Sequence, residues 1–200
     1  MLYVIVITIC WIVIAGVNAL CFQMNFFAVL LFALLAIIAV VIVDAIVAIA
    51  CRALPKKCVP YGAKIYQVSG KEKRFYEKLF IRKWKDKVPE IGHFTGFRKT
   101  KVQDPKSVEY VERFLLECRY GEVVHFVSCL VGFVILFPLP NAPIYHFPVT
   151  IAVAAINALL NVLPLFVLRY NFYKLDCLYQ ANLKKLRAQN AKEGAERDEN

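Results

Sequence analysis

Two apolar runs decide what this chain can fold into. LYVIVITICWIVIAGVNALCF, Leu2 to Phe22, and FFAVLLFALLAIIAVVIVDAIVAIA, Phe26 to Ala50, contain no Lys or Arg, and Asp44 is the one acid in them. A bilayer core of about 30 Å takes roughly 20 apolar residues at about 1.5 Å per residue. Each run is long enough to cross it as a helix, the form in which a single segment satisfies its own backbone polar groups in lipid. Two further stretches, Glu122 to Pro138 and His146 to Leu168, have the same character. The expected fold is an all-α membrane protein: four transmembrane helices in two hairpins, with an amphipathic, interfacial helical segment between them.

Charge is segregated from these runs. Of the 25 basic residues, 18 lie between Arg52 and Arg119 against 8 acids, and the other 7 between Arg169 and Asn200 against 5 acids. The connections at Gln23 to Asn25 and Leu139 to Tyr145 carry no charge. Basic segments stay cytoplasmic, so the expected topology is a multi-pass protein of the cell membrane with both termini inside. The expected organisation is a first hairpin over 1–51, a basic interfacial segment over 52–119, a second hairpin over 120–171 and a polar tail over 172–200. A basic inner face attracts anionic lipid by about 1 kcal/mol per Lys or Arg, and nucleic acid is not an expected partner. The N-terminus lacks a positively charged stretch before its apolar run, so it reads as a span and not as a cleaved leader. The seven cysteines form no CxxC pair, which supports neither a disulfide framework nor a zinc knuckle.

In the central segment, EKRFYEKLFIRKWKDKVPE spaces Phe75, Tyr76, Leu79 and Phe80 as on one face of a helix, with Lys and Arg between them. It reads as one amphipathic helix on the membrane surface, closed by Pro89. A second helix is expected to start after Asp104-Pro105 and run through Val108, Val111 and Leu115 into the third span. Pro138, Pro140, Pro143 and Pro148 punctuate the second hairpin's connection, and Lys184 to Asn200 is polar enough to be expected frayed.

Polar chemistry collects at the mouth of the third span, in ECRYGEVVH. On a helix, Arg119, Glu122 and His125 are successive i, i+3 neighbours about 5 to 6 Å apart. A charge deep in the apolar layer costs about 2.5 to 3.5 kcal/mol on insertion scales, so such residues face a partner or a wet cavity. A carboxylate can hold one imidazole nitrogen and leave the other to take a proton from a substrate hydroxyl. The plainer alternative is an Arg119–Glu122 ion pair with a histidine hydrogen-bonded between helices. One ExxH supplies too few ligands for a metal site, and none is expected. Asn157 and Asn161, at i, i+4, share a face of the fourth span, either as interhelical donors or as site residues. Arg169, Tyr170 and Asn171 mark its exit. Arg82, Lys83, Trp84 and Lys85 form a basic cluster fit for a phosphate or headgroup, or for a snorkelling face. Asp44 lies eight residues before Arg52, about 12 Å along a helix, and its role stays open between structure and function.

In order and spacing, FYEKLFIRKWKDKVPEIG (Phe75 to Gly92), VERFLLECRYGEVVHF (Val111 to Phe126), INALLNVLPLFVLRYN (Ile156 to Asn171) and the span between the last two resemble the glycosyl-4,4'-diaponeurosporenoate acyltransferase family. The resemblance implies transfer of a fatty acyl group from a cytoplasmic thioester, acyl-CoA or acyl-carrier protein, to a sugar hydroxyl of a membrane-embedded glycolipid, with no bound cofactor. The family's namesake acceptor is a glycosylated carotenoid acid. His125 would act as base with Glu122 orienting it. Arg119 and Arg169 would anchor phosphate or oxyanion charge, and Asn161, Tyr170, Asn171, Arg82, Lys83, Trp84 and Lys85 would bind substrate. Two other readings are a non-catalytic four-span protein binding anionic lipid or a partner enzyme, and another lipid group transferase such as a methyltransferase. No Gly-rich phosphate loop or GxSxG elbow points to nucleotide hydrolysis or a serine hydrolase.

Overall fold

A computed structural model describes residues 2–88, 102–137 and 146–198. Among them the regular structure is all helical: α1 (Leu2–Phe22), α2 (Phe26–Arg52), α3 (Gly70–Lys78), α4 (Ile81–Trp84), α5 (Val108–Val131) and α6 (Phe147–Asp198), with 3-10 turns at Lys56–Cys58, Lys85–Lys87 and Gly132–Leu136. Four of the helical segments are long and apolar enough to cross a membrane. The described residues divide into two compact units, one of 2–54, 87–88, 122–137 and 146–165, the other of 55–86, 102–121 and 166–198. Both α5 and α6 contribute to each.

In the first unit, α1 and α2 form a hairpin. Gln23 turns the chain at φ 50, and the Asn25 side chain caps α2 by accepting from the Ala28 N–H at 3.1 Å. The helices meet through small and β-branched residues: Ala15, Val29, Ala33 and Val40 pack with Val149 and Val153 of α6. Small side chains let backbones approach where lipid supplies no hydrophobic drive. Trp11 donates its ring N–H to the Leu30 carbonyl at 2.8 Å. Larger residues such as Ile9, Leu20, Phe27, Leu35 and Ile49 point outward, the pattern of a helix apolar all round in a bilayer.

The second unit is built on Val111, Phe114, Leu115 and Cys118 of α5 against Phe172 and Leu175 of α6. Ser69 caps α3 by accepting from the Glu72 N–H at 3.1 Å. The single amphipathic helix expected here is instead two, because Phe80 adopts a left-handed conformation at φ 53 between them. Tyr76 is buried, while Phe75, Leu79 and Phe80 stay exposed. The closing Pro89 lies outside the described residues, as do Pro138, Pro140 and Pro143.

The third span begins, as expected, within a longer helix, and its last turns tighten to 3-10 from Gly132. The tail does not fray after Lys184: α6 continues to Asp198. Its Ala, Lys, Leu, Arg and Glu are good helix formers, they extend an already nucleated helix, and the buried Asn182 ties the start of the tail by donating to the Pro105 carbonyl at 2.8 Å.

Candidate functional site

The first unit carries a chain of polar side chains inside its apolar helices. His125 of α5 has its Nδ1 2.9 Å from Oδ1 of Asn161 on α6. The Asn161 amide nitrogen donates to Asp44 Oδ2 of α2 at 3.1 Å and to the Asn157 backbone carbonyl at 3.1 Å. Asn157 donates to the other Asp44 oxygen at 3.4 Å. Both asparagines are buried, at the i, i+4 spacing that stacks them on one helix face. Gly132 makes room for them, since a Cβ there would lie 2.5 Å from Asn157 Nδ2. Pro164 follows within the same helix, where its missing N–H interrupts the backbone ladder.

Asn157 also borders an apolar cleft of about 70 Å³ between α1, α2 and α6, lined by residues including Trp11, Ile14, Ile37, Val40 and Val153. Val40 precedes Asp44, and Asn157 precedes Asn161, by one turn each. The cleft therefore starts at Asn157 and extends along the helices toward the side away from Arg52 and Arg169.

The imidazole's described hydrogen bond goes to Asn161, on the helix packed against it, where i, i+3 spacing points to Glu122. The physical reason is direction: a side chain on a helix reaches across to the helix it packs against as readily as along its own. Glu122 is itself buried. Among the described residues, no group of three or more His, Cys, Asp or Glu is placed to hold a metal.

The other expected residues lie in the second unit. Arg169 of α6 grips Glu72 of α3 with two donors, Nε to Oε1 at 2.5 Å and Nη2 to Oε2 at 3.1 Å, and donates from Nη1 to the Ile65 carbonyl at 3.0 Å. Its fork thus closes on a carboxylate within the unit, at the exit position from which a substrate anchor is expected. Tyr170 is fully buried, and its hydroxyl accepts from Arg82 Nε at 3.0 Å. That bond joins the two basic motifs, since Arg82 also donates to Glu77 at 2.5 Å. Lys83 lies 5.0 Å from the Phe80 ring centre, Trp84 donates to the Leu79 carbonyl at 3.0 Å, and Lys85 pairs with Asp86 at 3.2 Å. Asn171 is half-buried. Arg119 is buried, with its guanidinium 5.5 Å from the Tyr61 ring centre. The Tyr61 hydroxyl bonds Asp176 and accepts from Gln180 at 2.6 Å. Burial, then the bond to Asp176, pushes that hydroxyl up to about 12.

Burial by itself would raise the Glu72 carboxyl, but the hydrogen bonds from Arg169 and from the Tyr76 hydroxyl outweigh it and hold the group below the ordinary glutamate value. A folded value below the unfolded one stabilises the unit fully above the unfolded pKa of about 4.3, and the contribution is lost as pH falls through the folded value. Acid titration in detergent is expected to lower the melting temperature below about pH 4, and Glu72→Gln to flatten that limb; an unchanged acid limb would remove Glu72 from it.

Glu72 and Asp44 were the residues hardest to find in the sequence. The spacing S-G-K-E from Ser69 to Glu72 is a capping-box signature that marks a helix start but says nothing of Arg169. Asp44 carried one signal, a lone acid in an uncharged span.

A model of the family described as glycosyl-4,4'-diaponeurosporenoate acyltransferase matches residues 62–181. The match takes in His125, Asn157, Asn161, Arg119 and Arg169, and it stops short of Asp44. No curated protein and no solved structure matches the chain. With more than half of its residues inside that match, the chain belongs to the glycosyl-4,4'-diaponeurosporenoate acyltransferase family.

Proposed function

We propose that the protein moves a fatty acyl group from a thioester carried by coenzyme A or acyl-carrier protein to a sugar hydroxyl of a membrane-embedded glycolipid, with His125 as general base. The observation that carries this reading is the His125–Asn161 bond: one ring nitrogen is engaged, and among the described residues Nε2 makes no hydrogen bond. A ring held in this way can take the acceptor's hydroxyl proton.

As the proton passes to Nε2, the acceptor oxygen attacks the thioester carbonyl, the new ester C–O bond forms and the C–S bond breaks. The departing thiolate takes the proton back from the imidazolium and leaves as a thiol. The apolar cleft beside Asn157 offers a lipid tail a place next to this centre. The excess of Lys and Arg between Arg52 and Arg119 supports an inner-leaflet site with both termini cytoplasmic, where a soluble thioester meets a lipid acceptor. Lys83, exposed on its turn, is the member of the basic cluster best placed to meet donor phosphate.

Lipid mass spectrometry of membranes from cells with and without the protein tests the reaction. A glycolipid heavier by one fatty acyl residue is expected only where the protein is present. Lipid profiles that match in every acylated glycolipid would reject acyl transfer, and a gain of methyl mass would replace it with methyl transfer.

A further inference from the structure

We infer that Asp44 is a positioning residue for His125, acting through the amide of Asn161 to fix the imidazole proton on Nδ1 and leave Nε2 as the proton acceptor. The argument starts from what each group can offer. An ionised carboxylate only accepts, and a backbone carbonyl only accepts. The Asn161 amide nitrogen faces acceptors only, Asp44 Oδ2 at 3.1 Å and the Asn157 carbonyl at 3.1 Å, with the Asn157 side-chain oxygen further off at 3.4 Å. Turning the amide over would set its oxygen against a carboxylate and a carbonyl together, so the nitrogen faces Asp44 and the oxygen faces His125. An oxygen 2.9 Å from Nδ1 can only accept. The neutral ring therefore carries its proton on Nδ1.

Asp44 is held in turn. Its second oxygen accepts from Asn157 at 3.4 Å, and Gly132 leaves the space Asn157 needs. An acid in a 27-residue apolar helix is costly unless it is paired, and two amide donors supply the pairing. Helix α2 lies outside the matched residues 62–181, so this role rests on the geometry alone.

The consequence for turnover depends on the acyl-transfer reading, whereas the position of the ring proton does not. The chain has three histidines, so nitrogen NMR of the 15N-histidine-labelled full chain in micelles resolves this ring by subtraction of a His125→Gln sample. At a pH where the ring is neutral, the unmodified protein is expected to show Nδ1 protonated and Nε2 bare. Asp44→Asn, which offers one acceptor and a new donor where two acceptors stood, should move the tautomer ratio toward Nε2–H by about tenfold or more. It should lower kcat by about 10²-fold with KM little changed, and Asp44→Glu should restore part of both. An Nε2–H tautomer in the unmodified protein overturns the inference even if the variant fails to insert. So does an Asp44→Asn ring that keeps its wild-type tautomer ratio, whatever happens to its activity. The expected ring shift in a protein without acyl transfer would uphold Asp44's role and sink the proposed reaction instead.

Discussion

His125→Ala is expected to lower acyl transfer by about 10² to 10⁴-fold, the range contributed by a well-placed general base. The loss should fall on kcat, because in the proposed reaction the ring takes a proton as the acceptor attacks, and KM for either substrate should move little. The folded protein should survive the change. His125 is half-buried, with one described hydrogen bond, so the variant leaves the Asn161 oxygen short of a donor at a cost of about 1 to 3 kcal/mol. Membrane insertion, read by fractionation, and the melting temperature in micelles separate that cost from a catalytic one. Turnover within about twofold of wild type would take His125 out of the proton transfer, since removal of a working base cannot be that mild. His125→Gln sharpens the comparison, because its amide can still donate to Asn161 but cannot serve as base at neutral pH. It should be as inactive as the alanine variant and closer to wild type in stability.

The spans were legible because lipid imposes a strict rule: about 20 apolar residues without charge leave few alternatives to a helix. Leu2–Phe22 appears with the expected ends, and the second span, read to Ala50, runs two residues further to Arg52. Where the pattern was softer, local chemistry prevailed. The break at Phe80 was illegible because no Gly or Pro marks it, and a non-Gly residue at positive φ leaves no sequence signature of its own. The tail's polarity suggested fraying, yet Ala, Lys and Glu are polar or small without being poor helix formers.

The candidate site divides in the same way. Asn157 and Asn161 were found by i, i+4 spacing, and His125 by its position in a span, because both signals are local. The bond between His125 and Asn161 joins residues 36 apart and that between Asp44 and Asn161 residues 117 apart. Such pairings are fixed by helix packing, which spacing within one helix does not encode. That is why spacing within α5 points to Glu122, the carboxylate nearest His125 in sequence, and gives no sign of the bonds from His125 to Asn161 and from Asn161 to Asp44.

Arg169 marks the sharpest divergence between position and contacts, and its replacement separates an anchor for substrate from a clamp on the fold. Arg169→Ala is expected to destabilise the protein by about 2 to 3 kcal/mol, below the 3 to 5 kcal/mol of a fully buried broken pair because both side chains keep some solvent contact. Removing the guanidinium strands the Glu72 carboxylate and the Ile65 carbonyl, and with them the hold of α6 on the start of α3. Glu72→Ala should cost a similar amount, and the double variant much less than the two singles together, since residues in one ion pair do not add independently. Melting in micelles supplies the three numbers of that cycle. Substrate anchoring predicts a different pattern: Arg169→Ala would raise KM for the donor several-fold, Glu72→Ala would leave KM unchanged, and the stability losses would simply add. The contacts favour the clamp, because the Nε/Nη2 edge is closed on the Glu72 carboxylate at 2.5 and 3.1 Å and the Nη1/Nη2 edge already donates to the Ile65 and Gln67 carbonyls at 3.0 and 3.5 Å.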